Sequence, residues 1–226
     1  MKIHKKTTMN KEFRTFNNTI EQRAADSRSV SGYAVVFNSE SRDLGFFETI
    51  APGAITEDTI LESDVFATLN HDTDKVLGRS RFGQGSLELS VDERGVHYRY
   101  DAPNNDLGNS VLEYIDRGDL TDASFAFTIA DEPDAQRWEK RDGAIYRTIY
   151  KIDRLYDISN VWTGAYAEAS THRNKPEDYD KYINQLEAEE RAKEEEQKAE
   201  EERVNKEKID TILNNRLQSF LEKVKL

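Results

Sequence analysis

The sequence predicts a mainly β fold with a few helices, a small barrel-like α+β domain, followed by a charged helical tail. Three observations carry that prediction. Between residues 29 and 171, short runs of β-branched and aromatic residues recur between turn signals, with one helical pattern among them. Past residue 175 the alternation stops, and 26 of the last 52 residues are Asp, Glu, Lys or Arg. The chain has 226 residues, more than one ordinary domain needs. The reading is therefore a polar N-terminal arm at 1–28, a core-forming domain at 29–174 and a tail at 175–226.

In the arm, Phe13, Thr15 and Phe16 form a short alternating patch, read as a loose arm or an edge strand. Residues 30–37 and 46–50 read as strands, the second closed by the turn signal Ala51-Pro52-Gly53. Strands follow at 65–69 and 76–79. Leu87, Leu89 and Val91 alternate with polar residues up to a hairpin turn at Asp92-Glu93-Arg94-Gly95. The return strand sets Val96, Tyr98 and Tyr100 on one face, with His97 turned to solvent. Residues 109–117 carry Val111, Leu112 and Ile115 at helical spacing, with Gly118 as the stop. Residues 124–129, 144–150 and 157–162 complete the strands. In the tail, residues 187–202 have only three apolar side chains, all alanine, and read as a solvated helix. Ile209, Ile212, Leu213, Leu217, Phe220, Leu221 and Val224 then form an apolar stripe, expected to pair with another helix rather than with a membrane.

Composition excludes several functions. A formal charge of −12 argues against a nucleic-acid partner, since binding phosphates needs clustered cations. The chain has no cysteine, which removes disulfides, thiol catalysis and thiolate metal sites together. Zinc would have to rely on carboxylates, which it seldom chooses, so no metal and no cofactor is expected. No apolar run approaches the ~18 residues of a membrane span, and the basic start at 1–6 leads into no apolar signal region.

The four histidines decide what chemistry is open. His4 lies in the arm, His172 trails the domain and His97 lies on a strand. His71 sits in Asn70-His71-Asp72, where an apolar strand ends and a side chain can enter a cleft. On local grounds a lone histidine there is more often structural than catalytic. A histidine base needs a nucleophile, and without thiols the candidates are Ser and Thr. Ser124 opens an apolar strand, a place that also suits a satisfied buried hydroxyl. Asp157 opens another such run, and an orienting carboxylate is the usual third group.

The order of motifs resembles the prohead proteases of HK97-type tailed phages, serine peptidases related in fold to herpesvirus assemblin. The match is carried by SGYAVVFN at 31–38, ETIAPGA at 48–54, LNHD at 69–72 with VLGR at 76–79, ASFAF at 123–127 after Gly118, and LYDISNV at 155–161. Each motif alone is weak, but together they span about 29–169 in the family's order. The resemblance implies that His71 is the catalytic histidine and Ser124 the nucleophile. It implies Asp157 as the third member, preferred over His172, which lies beyond the late strand; herpesvirus relatives use a second histidine there. Arg79 and Arg117 lie near these motifs but read as surface ion pairs. The implied function is a capsid-maturation endopeptidase that cuts scaffold or capsid-protein propeptide segments, and itself, inside the prohead in the host cytoplasm. The implied partners are the major capsid protein and its scaffold, with self-association through the tail helix. The alternative is a capsid-assembly or scaffold protein that has the fold without the activity.

Overall fold

The computed structural model describes residues 11–17, 19–21, 24, 27–162, 176 and 179–224, with side chains to residue 213. Residues Met1–Glu177 form one compact unit and Asp178–Leu226 a second.

Among the described residues, twelve strands build the first unit. They are β1 (Glu12–Phe16), β2 (Ser29–Val36), β3 (Phe47–Ile50), β4 (Asp64–Leu69), β5 (Asp72–Arg81), β6 (Gln84–Gly85), β7 (Leu87–Val91), β8 (Gly95–Asp101), β9 (Asp122–Ile129), β10 (Gln136–Arg141), β11 (Ala144–Ile149) and β12 (Ile152–Val161). Among the described residues two helices interrupt them, α1 (Glu57–Leu61) and α2 (Asp106–Asp116). A six-stranded sheet runs β1-β9-β12-β4-β5-β6, beside two three-stranded sheets, β10-β11-β3 and β2-β8-β7. The fold is mostly β, as expected. Among the described residues no sheet closes on itself, however, so the barrel-like expectation is corrected to open sheets. Among the described residues, the large sheet ends at β1 on one side and at the two-residue β6 on the other.

Burial follows the period-two pattern in the strands with one wet face. In β8, Val96, Tyr98 and Tyr100 are buried, while Arg99 and Asp101 are exposed. β9 departs from the pattern because all eight of its residues are buried, so it is covered on both faces. Its Phe125 and Phe127 stack in the core with Val30, Val65, Leu120 and Ile158. Helix α2 starts at Asp106, three residues before the expected start at 109, because Asn105 caps the free Gly108 N–H. It buries Gly108, Val111 and Leu112 and is left through Gly118 at φ +75°, a left-handed exit that glycine makes without a Cβ clash.

The second unit is one helix, α3 (Tyr179–Val224). Its side chains are exposed over most of its described length, and Arg191–Glu187 and Arg203–Glu200 pair along its surface. Ile209, Ile212 and Leu213 are more than half exposed. The rest of the apolar stripe lies outside the described side chains. No described helix is long and apolar enough to cross a membrane.

Candidate active site

Three adjacent strands of the large sheet deliver the three candidate residues. β9 carries Ser124, β12 carries Asp157, and the β4–β5 connection carries His71. That connection is a tight hairpin in which Leu69 pairs with Asp72, leaving only Asn70 and His71 to make the turn. Both have positive φ, 60° and 58°, the left-handed backbone that a two-residue hairpin of this kind demands. Asn and His enter that region more readily than most side chains, so this turn can present an imidazole where Asn-Gly would present none.

Asp157 reaches the same face through a bulge. Leu155 pairs with Phe127 and Asp157 with Ala126, so Tyr156 is an extra residue on β12. Ala126 lies two residues from Ser124 and therefore shares its face. Had β12 run on from Leu155 in regular register, Tyr156 would face Ala126 and Asp157 would sit opposite Phe125, on the other side of the sheet.

The side chains converge although 53 and 33 positions separate them. His71 Nε2 lies 2.7 Å from Ser124 Oγ, and His71 Nδ1 contacts Asp157 Oδ2. Further bonds brace this line. Thr68 Oγ1 donates to Asp157 Oδ1 at 2.8 Å, and the Thr68 and Ser159 hydroxyls lie 2.9 Å apart. Ser159 Oγ accepts the His71 backbone N–H at 2.7 Å and contacts the Thr68 carbonyl at 3.1 Å. Asn160, next on β12, ties the sheet to β8 through the Tyr98 and Tyr100 hydroxyls at 2.7 and 2.5 Å. Burial raises both tyrosine hydroxyls well above the usual phenol range, so they stay neutral. Sequence reasoning passed over Thr68 and Ser159. Their signal was a hydroxyl beside apolar residues, Ala67 and Leu69 for Thr68 and Ile158 for Ser159.

A second polar cluster lies buried nearby, and sequence reasoning missed it too. The Arg14 guanidinium binds the Glu48 carboxylate through two nitrogens, at 2.5 and 2.8 Å. Arg147 bridges Glu48 at 2.8 Å and Glu12 at 2.6 and 2.8 Å. Burial works to raise the Glu12 carboxyl, but the charges of Arg147 and Arg14 outweigh it and hold Glu12 below the usual carboxylate range. Arg147 is buried and held protonated by Glu48 and Glu12.

The other described candidates make different contacts. Arg79 pairs with Asp64, and Arg117 with Glu113 and Asp119, as surface ion pairs. His97 is partly exposed, edge-on to Tyr33 and 3.4 Å from Glu21. His4 and His172 lie outside the described residues. Among those residues, no group of three or more His, Asp or Glu side chains is placed to hold a metal ion.

The caudovirus prohead serine protease family model matches residues 16–182. The chain belongs to this family. The matched span includes His71, Ser124 and Asp157 and reaches the first residues of α3. Among solved structures, the chain is similar to the capsid assembly protease of bacteriophage T4, gp21, at 10% identity and a TM-score of 0.44, over 68% of this chain and 99% of that one. No curated protein matches it.

Proposed function

We propose that this member of the prohead protease family is a serine endopeptidase of capsid maturation, with Ser124 as nucleophile, His71 as base and Asp157 as orienting acid. The observation that carries the reading is the unbroken line from Asp157 through both ring nitrogens of His71 to Ser124 Oγ. In this reading Ser124 Oγ attacks a peptide carbonyl while His71 Nε2 takes its proton. Asp157 accepts from Nδ1–H, which leaves Nε2 free to accept, and its charge stabilises the imidazolium that forms. His71 then protonates the leaving amine, and water hydrolyses the acyl-enzyme by the same steps in reverse. A non-catalytic assembly protein has no use for an imidazole held at both nitrogens on a left-handed backbone.

The substrates in this reading are propeptide or scaffold segments of the capsid protein, and the protease itself, cut inside the assembling prohead in the host cell. The α3 stripe, beginning with the exposed Ile209, Ile212 and Leu213, is the proposed docking face for scaffold helices or a second copy of the chain. The test is co-expression with the capsid protein, following the precursor on gels. Ser124→Ala and His71→Ala are expected to abolish cleavage, and Asp157→Asn to leave a remnant roughly 10⁴-fold below the parent. Equal cleavage by Ser124→Ala and the parent overturns the assignment.

A further inference from the structure

Ser124 is only 1% exposed, which is too little for a nucleophile that must meet a peptide carbonyl. The chain itself covers it. β1 lies antiparallel on β9 with Thr15 opposite Ser124, and Ser124 Oγ donates to the Arg14 carbonyl at 2.9 Å. A serine hydroxyl has one hydrogen, so this carbonyl competes with His71 Nε2 for the proton that the base must remove. Phe13 closes the other side, edge-on to the His71 ring with centroids 5.0 Å apart.

A peptide added to the outer edge of β1 would lie two strand spacings, about 9–10 Å, from β9, out of reach of Ser124. The edge that brings an extended peptide to this serine is the one β1 now holds. We propose that this edge of β9 is the peptide-binding surface, and that β1 is a built-in occupant which must leave for substrate to enter. The proposal rests on the reading of Ser124 as nucleophile.

The buried ion cluster states what such a peptide carries. When β1 leaves, Glu48 and Arg147 still hold each other. Glu48 Oε1 loses the Arg14 guanidinium, and Arg147 Nη2 loses Glu12. The surface then presents the Glu48 carboxylate beside the Arg147 guanidinium, in fixed register with Ser124. It selects an extended peptide with an acidic residue two places before a basic one, the pattern of Glu12 and Arg14. Glu48 and Arg147 are its specificity pair.

Three observations make β1 removable. The family match begins at residue 16, where β1 ends. A cavity of about 350 Å³, lined by Arg14, Phe16, Ser39, Arg42, Leu44 and Glu48 among others, borders the strand, so its seat is not fully packed. The chain just beyond is fastened independently, since Ile20 N–H donates to Thr121 O and Tyr33 N–H to Thr19 O, both at 3.0 Å. The strand can swing on Asn17 without loosening the Thr19–Ile20 anchor.

The test is a reversible lock in the full chain, which has no cysteine of its own. Phe16 and Ala123 are cross-strand partners, so Phe16→Cys with Ala123→Cys can be oxidised to pin β1 and reduced to free it. Cleavage of capsid precursor is expected to be at least tenfold slower for the oxidised form than for the same protein reduced. Equal rates, with the disulfide verified by mass, overturn the proposal and leave the nucleophile assignment standing. A second measurement needs no chemistry. The full-chain variant Arg14→Gln, which weakens the β1 anchor, is titrated with a fluorescent peptide carrying Glu-Phe-Arg-Thr-Phe. Saturable binding is expected, at least tenfold weaker when Glu and Arg are exchanged in the peptide. If the variant is folded and binds neither peptide, the surface is wrong; if it does not fold, the lock decides alone. Peptide binding with no cleavage by any form, parent included, keeps the surface and removes the protease reading.

Discussion

At the residue scale, the site is organised by two hydroxyls as much as by its three proposed catalytic groups. Ser159 holds the His71 backbone N–H, and Thr68 holds Asp157, so the imidazole and its carboxylate are braced from one point between β4 and β12. Ser159→Ala leaves the His71 N–H without its partner in a turn already confined to positive φ. The expected outcome is a loss of ~1–2 kcal/mol in urea denaturation. A fall in kcat of roughly tenfold with KM nearly unchanged is also expected, since the defect is in aiming the base. Ser159→Thr, which keeps the acceptor, is expected to recover most of the rate. An unaltered kcat in Ser159→Ala would show that the turn holds His71 without this bond.

The element that matters most is β1, and its anchoring depends on ionised Glu12. The Glu12 carboxyl lies below its usual value of 4.5 in the fold, because Arg147 and Arg14 prevail over burial. A carboxyl depressed by folding adds stability that is complete above the unfolded pKa and is lost as pH falls through the folded one. The parent is therefore expected to lose this contribution progressively below about pH 4.5. Glu12→Gln should be less stable than the parent by ~1.5–3 kcal/mol at neutral pH, with the difference shrinking in acid. Urea midpoints measured from about pH 7 to about pH 3 check the convergence, and parallel curves would remove Glu12 as the acid-sensitive anchor. Gly32 supports the same region. A Cβ there would meet the Thr19 carbonyl oxygen at 2.3 Å, so the chain after β1 can cross β2 only over a glycine.

At the scale of the whole molecule, the chain divides into two compact units, Met1–Glu177 and Asp178–Leu226. We propose that the first unit is complete in itself. Helix α3 is a run of strong helix formers with little apolar surface over most of its length, and such a helix adds almost nothing to a core. Truncation after residue 177 is expected to leave the thermal midpoint within ~2 °C of the full chain and peptide-bond cleavage intact, while packaging into the prohead is lost. Scanning calorimetry and capsid co-purification read the two outcomes separately, and an unfolded truncation would move the boundary into the tail.

Much of this organisation was legible in the sequence. Val96, Tyr98 and Tyr100 alternate, and they share a buried face. Val111, Leu112 and Ile115 fall at helical spacing; the first two are buried and Ile115 packs partly buried against the core. The patch at Phe13, Thr15 and Phe16 is an edge strand. Other elements were missed for physical reasons. β10 reads QRWEKR, whose polar residues hide a strand that pairs only at the rim, and α1 has five residues, too few for a period to register. Arg14, Glu48 and Arg147 are charges, and charges are read as surface. The signal against that reading was a lone charge inside each apolar run, FETI for Glu48 and AIYRTI for Arg147.

By itself the sequence determined most of the strand segments, the helical stretch at α2, and which residue types are available for chemistry. Periodicity and composition are local properties, and these outcomes depend on little else. Tertiary structure alone decided that β9, β12 and β4 stand side by side, that the Tyr156 bulge turns Asp157 toward Ser124, and that β1 covers the nucleophile. Those outcomes depend on register, in which a single extra residue exchanges the two faces of a strand while leaving its local pattern nearly unchanged.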